Sequence, residues 1–148
     1  HLSRRGFRDV AGLARAPFLA SHSNCNAVYR HPRSLTDRQI DCIITRGGLI
    51  GINLYRAFLG RPGSAGFAAA HRHIRHVLER GGEHVLALGS DFDGCELEPC
   101  FAGVEKLEAF QDYLLANGMP QEQADALFYK NAEKFFQTLL QPQTDMLK

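Results

Sequence analysis

The sequence has no surplus of either charge: 17 Lys and Arg face 16 Asp and Glu, for a formal net charge of +1. That balance excludes the strongly basic surface on which phosphate-backbone binding depends, so a nucleic-acid partner is not expected. No apolar run approaches the roughly 18 residues a spanning helix needs, because Gly, Ser or a charged residue interrupts each one within about seven positions. A membrane segment is therefore not expected. The four cysteines, Cys25, Cys42, Cys95 and Cys100, form no C-x-x-C pair, which removes both a disulfide framework and a structural zinc site. Such usage favours a reducing, cytoplasmic compartment. Also absent is any G-x-G-x-x-G turn, the signature of dinucleotide binding. The first residue is His1 rather than Met, so a leader ahead of it stays open.

What is present suits one soluble globular domain, or part of one: 148 residues, 45% hydrophobic and 22% charged, enough to bury a sizeable core. Ser3 stands ahead of Phe7, Val10 and Leu13, which recur at helical spacing, and this predicts a helix over 3–15 with Ser3 as its N-cap. "PFLASH" (17–22) is a short apolar run suited to a buried strand. In "LTDRQIDCIITRGG" (35–48) Thr36 and Gln39 have capping-box spacing, and Leu35 and Ile40 can staple the helix entry. Ile40, Ile43 and Ile44 make one apolar face, and Gly47-Gly48 should end the helix. "LIGINLY" (49–55) follows, then a loop with Gly60, Pro62 and Gly63, a helix through "FAAAHRHIRHVLERGG" (67–82), and "VLALGSDFDG" (85–94). After a loop to about Gly103 the rest reads as helical, "VEKLEAFQDYLLANG" (104–118) and then 120–140, with Pro120 suited to a first helical turn. Residues 141–148 read as a polar tail.

The strands are apolar on both faces rather than alternating, which is the pattern of parallel strands covered by helices, an α/β fold. Each one ends in polar chemistry: "SHS" after "PFLA", "NLY" after "LIGI" and "SDFDG" after "VLALG". Functional groups at strand C-termini are how a (β/α)8 barrel or a doubly wound sheet builds a site, and the missing glycine-rich turn favours the barrel. A complete barrel takes roughly 250 residues. The expectation is one domain over 1–148 that forms the C-terminal half of a TIM-type barrel, with three or four βα units.

Taken together, "SHSNCNAVYRHPRSLTDRQI" (21–40), "GGLIGINLY" (47–55) and "LALGSDFDG" (86–94) resemble the membrane (renal-type) dipeptidase family, metallopeptidases with an amidohydrolase-like barrel. The resemblance covers nearly the whole chain, with three motifs in the right order and separation. It implies a two-zinc enzyme that hydrolyses dipeptides, some members accepting a D-residue at the C-terminal position. It also implies His1 and His22 as metal ligands, Arg33 as the group that holds the substrate carboxylate, and Asp91 as the acid that contacts substrate and protonates the leaving amine. Ser34 departs from the pattern, which often has Asn there. The family's His-x-Asp pair and metal-bridging glutamate are expected ahead of His1, so this chain alone should be a poor hydrolase.

Elementary chemistry agrees with these assignments. Zinc lowers the pKa of bound water to about 7, and imidazoles at strand ends are suitable ligands. A planar guanidinium such as Arg33 can make two parallel hydrogen bonds to a terminal carboxylate, which favours dipeptides over internal peptide bonds. Gly94 lets the chain turn sharply beside Asp91. Blander readings stand beside each: His22 as a strand-end histidine satisfied by backbone, Arg33 as a solvated arginine, Asp91 and Asp93 as turn residues. Tyr55 and Asn53 end a strand and can line a pocket, Tyr55 as a substrate contact. His73 and His76 in "HRHIRH" read as part of a solvated basic face, and Asn131 as a cap or loop tie. Two rival functions remain. A half-barrel leaves unpaired strand edges and an open apolar interior, so the chain is expected to be a homo-oligomer and need not be catalytic. A different amidohydrolase-type reaction on the same scaffold is the other.

Overall fold

Three strands, β1 (Leu19–Ala20), β2 (Leu49–Asn53) and β3 (Leu86–Ser90), form one parallel sheet in the order β1-β2-β3. They belong to a computed structural model that describes residues 2–61, 63, 64 and 66–140. His1, Pro62 and the 141–148 tail lie outside those residues. Helix α1 (Arg4–Leu13) precedes β1, α2 (Asp37–Thr45) connects β1 to β2, and α3 (Arg56–Leu59) and α4 (Phe67–Leu78) connect β2 to β3. The sequential order has no reversal, as in a segment of barrel wall; a doubly wound sheet needs a point where the order switches.

The sequence signals around α2 appear as hydrogen bonds. The Thr36–Gln39 capping box is formed in both directions, and Ile40 and Ile43 are fully buried with Leu35 beside them. Gly47 ends the helix in the left-handed region at φ 61°, where L side chains are strained. Every residue of β2 is buried, and the two faces meet different neighbours. Ile50 and Ile52 enter the main core with Ile40, Ile74, Leu86 and Phe110, while Leu49 joins Ala87 and Phe135 on the opposite side. This two-sided cover is why the strand is a continuous apolar run.

Two glycines let the strands approach. A Cβ on Gly51 would lie 2.1 Å from the Ser21 carbonyl oxygen and 2.8 Å from Gly89 Cα, and one on Gly89 would meet the same oxygen at 2.1 Å. The chain leaving β1 is thus pressed onto β2, with Ser23 N–H donating to Gly51 O at 2.7 Å. Both obstacles are backbone, so Gly51→Ala is expected to destabilise the fold by about 3 kcal/mol, a large overpacking effect, as a fall in urea midpoint at unchanged m.

Several expectations change on contact with the structure. Ser3 does cap α1, accepting the Gly6 N–H at 3.0 Å, yet α1 buries none of its residues. Phe7 meets Phe18 edge-on at 5.7 Å, while Val10 and Leu13 stay exposed, Leu13 at 82%. β1 has two residues rather than six because its ladder stops at Ala20, where the chain turns over β2. A short helix, α3, occupies part of the expected loop. Pro120 is an N-cap, one place ahead of the first turn, and the helix expected over 120–140 is three segments. These are α6 (Gln121–Asp125), following α5 (Lys106–Ala116), then a π-helical turn (Ala126–Lys130) and α7 (Asn131–Leu140). Asn131 is the tie anticipated for it: Nδ2 donates to the Glu83 and Leu86 carbonyls, each at 2.8 Å.

The largest correction concerns "HRHIRH". Helix α4 packs through Ala69, Ala70, His73, Ile74 and Val77, so His73 falls on the buried stripe and is fully enclosed. His76 Nε2 pairs with Asp37 Oδ1 at 2.8 Å, and Arg80 reaches Asp37 and Asp41, linking α4 to α2.

Candidate active site

The sheet carries the site residues on the segments that leave its strand ends. After β1 comes His22, partly buried, whose two ring nitrogens have distinct partners. Nε2 lies 3.2 Å from Arg33 NH2, and Nδ1 lies 2.7 Å from Ser21 Oγ. A guanidinium can only donate, so Nε2 carries the lone pair and the neutral ring holds its proton on Nδ1, donating to Ser21. Arg33 returns to His22 because the 25–35 loop closes on itself. Asn26 N–H donates to Leu35 O at 2.8 Å, Leu35 N–H to Asn24 O at 2.7 Å, and Arg33 N–H to His31 Nδ1 at 3.2 Å. Burial, followed by the nearby Arg33 charge, holds the His31 pKa below its usual value.

Beside this pair lies a pocket of about 220 Å³ whose lining includes Phe7, Phe18, Ser21, His22, Arg33 and Ser34. Ser34 Oγ is buried there without a hydrogen-bond partner among the described residues. From β2 come Tyr55 and, on α3, Phe58. Phe58 gathers three groups: the Tyr55 ring at 4.7 Å, the His31 ring at 4.4 Å and the Arg33 guanidinium carbon at 5.6 Å from its centroid. Tyr55 is thus tied to the Arg33 side of the mouth through Phe58.

β3 delivers Asp91 through a distorted end. The β2–β3 register slips between Ile52 and Asn53, so that Asn53 pairs with Ser90. Ser90, Asp91 and Asp93 then have φ of 25°, 72° and 62°. Three non-glycine residues in the left-handed region within four positions is strain of the kind concentrated at functional sites. Asp91 Oδ2 accepts from Asn53 Nδ2 at 3.0 Å. A Cβ on Gly94 would come within 2.7 Å of Asp91 Oδ1, which accounts for glycine there.

The structure therefore joins His22 to Arg33, Arg33 to Tyr55 by way of Phe58, and Asp91 to the end of β2. His1 lies outside the described residues. Sequence reading missed the buried Asn24, whose amide makes two hydrogen bonds to the Asn53 backbone, and Phe58. The available signal for Asn24 was its place two residues after His22 in a loop leaving an apolar strand.

As a metal site the described residues fit only one corner. The one imidazole lone pair of His22, at Nε2, faces Arg33 NH2 and would serve an ion only with that guanidinium turned aside, and no group of three or more His, Cys, Asp or Glu among the described residues can hold an ion.

Comparison with known proteins places the fold in a family. The family model described as membrane dipeptidase (peptidase family M19) matches residues 1–146. An uncharacterized protein in the pqqA 5' region of Klebsiella pneumoniae is 36% identical over 135 residues, which are 88% of this chain and 50% of that protein. An uncharacterized dipeptidase, C965.12, of Schizosaccharomyces pombe is 33% identical over 116 residues, 77% of this chain and 27% of its own. Among solved structures, a metallopeptidase from Rhodobacter sphaeroides liganded with a phosphinate mimic of the dipeptide L-Ala-D-Ala superposes with a TM-score of 0.87 at 36% identity. The match covers 93% of this chain and 40% of that one. The chain spans half or less of the length of these relatives. A family match over nearly every residue, joined to a parallel α/β fold shared with solved members, means that the chain belongs to the membrane dipeptidase family, peptidase family M19.

Proposed function

We propose that the protein is a zinc-dependent dipeptidase in which this chain supplies the carboxylate grip, two metal ligands and a catalytic carboxyl group. The observation that carries the reading is the meeting of His22 Nε2 and the Arg33 guanidinium at 3.2 Å beside a pocket. A metal-ligand candidate and a carboxylate-binding candidate so close together suit a short substrate with a free C-terminus near the bond to be cleaved. The relative named as a dipeptidase and the metallopeptidase liganded with a dipeptide mimic support the same substrate class.

In this reading His22, with His1, holds part of a two-zinc centre whose remaining donors lie outside the described residues. When bound, zinc supplies a polarised water at neutral pH. The chain's own groups do the rest. Arg33 binds the substrate α-carboxylate through two parallel hydrogen bonds, and Phe58, stacked beneath it, limits its movement. Tyr55 borders the same space. Asp91, held at one oxygen by Asn53, contacts substrate and returns a proton to the departing amine.

The test uses the full-length protein: zinc content by elemental analysis, and hydrolysis of a dipeptide against its C-terminal amide. Hydrolysis of the dipeptide but not the amide is expected, and equal rates on both would reject the carboxylate grip. Arg33→Lys keeps the charge and loses the fork, so KM for dipeptides is expected to rise about 10- to 100-fold, the equivalent of one charge-assisted hydrogen bond, with a smaller change in kcat.

A further inference from the structure

A line of buried amides runs behind the strand ends, and its geometry leaves little freedom of interpretation. Asn53 is fully enclosed at the end of β2. Its backbone is clasped by the Asn24 side chain, whose Nδ2 donates to Asn53 O at 3.0 Å while Oδ1 accepts the Asn53 N–H at 3.1 Å. The Asn53 side chain is fixed in turn. Oδ1 accepts the Tyr55 N–H at 2.6 Å, and an amide nitrogen cannot take that place, so Nδ2 must face the other way. There it meets Asp91 Oδ2 at 3.0 Å.

The recipient of that bond is the residue most in need of a tether. Asp91 sits at φ 72° just after the slip in the β2–β3 register, and its neighbour Ser90 is also in the left-handed region. A second tie comes from the Cys95 thiol, which donates to the Asp91 carbonyl at 3.3 Å. The backbone is thus fixed by one contact and the carboxylate by the other.

We propose that Asn53 is a positioning residue for the proposed reaction: its Nδ2 fixes the Asp91 carboxylate by one oxygen and leaves Oδ1, beside Gly94, to meet the substrate. The proposal rests on the dipeptidase reading and on Asp91 as its acid. Asn24 acts one step further back, by holding the Asn53 backbone at the height where its amide reaches Asp91.

The experiment compares Asn53→Ala and Asn53→Ser with Asp91→Asn in the full-length protein, by thermal melting, kcat and KM. Asn53→Ser brings no charge to this enclosed position and keeps a short side-chain oxygen, so it decides the matter if the alanine variant fails to fold. Expected for a folded variant is a roughly 10- to 100-fold loss that falls mainly on kcat and leaves KM little changed. If Asp91→Asn is inactive while a folded Asn53 variant keeps the wild-type kcat, the positioning role is wrong. If Asp91→Asn itself retains full activity, the Asp91 assignment fails instead, and Asn53 loses its proposed purpose with it.

Discussion

Replacement of His22 by alanine is expected to reduce dipeptide hydrolysis by the full-length protein by at least about 100-fold, while leaving its melting temperature within a few degrees of wild type. The two halves of this expectation have separate causes. His22 is only partly buried and belongs to neither hydrophobic cluster, so trimming it removes little packing. The segment that carries it stays anchored by the Ser23–Gly51 backbone bond and by the Asn24 amide on Asn53. The site, however, loses the lone pair at Nε2 and the partner that faces Arg33. Loss of even a supporting group around a metal ligand costs 10- to 100-fold, and His22 is proposed as a ligand itself. Zinc content should fall in parallel with activity. His22→Ala with full activity and full zinc would remove the metal assignment; normal zinc with no activity would move His22 to a substrate-facing role.

How far these features were legible beforehand depended on the range over which each is encoded. The Thr36–Gln39 capping box and the Gly47 terminus are set by residues within one turn, and both form as the pattern predicts. The β2 and β3 runs were legible because strands covered on both faces leave no alternation to confuse with a helix. The approach of Arg33 to His22 was not a matter of pattern: eleven residues of loop lie between them, and only family resemblance suggested that they share a site. Asn24 and Asn53 were harder still, since they lie 29 positions apart and their pairing is a tertiary hydrogen bond without local signature. His73 misled because polar residues in a helix are normally assigned to the outer face, and a buried imidazole looks the same in sequence as an exposed one. Its burial depends on two backbone partners distant in the chain.

Those partners make His73 the second large effect. Nδ1 accepts the Cys25 N–H at 3.1 Å, which requires the proton on Nε2, and Nε2 faces the Leu59 carbonyl at 3.2 Å. Cys25 lies three residues past His22, and Leu59, the last residue of α3, lies next to Phe58, so one imidazole joins the 25–35 loop to α3 on the Arg33 side of the mouth. His73→Leu fills most of the volume but orphans a buried N–H and a buried carbonyl, each costing about 1–3 kcal/mol. A loss of about 2–5 kcal/mol at pH 7, read from the urea midpoint, is expected. Acid adds an independent check. Burial, helped by the Arg72 and His76 charges and opposed by the Leu59 bond, lowers the His73 pKa from 6.5 to about 4. Between those values the unfolded chain binds the extra proton, so this contribution is complete above about pH 6.5 and fades as pH falls towards 4, by about 3 kcal/mol. His76 and Asp37 also face the α2–α4 contact in both proteins, so the informative quantity is the difference between wild type and His73→Leu. That difference should shrink as pH is lowered from 6.5 to 4. A difference constant across the range would mean that the imidazole is already charged in the folded protein, and the Cys25 N–H could not then be bonded to it.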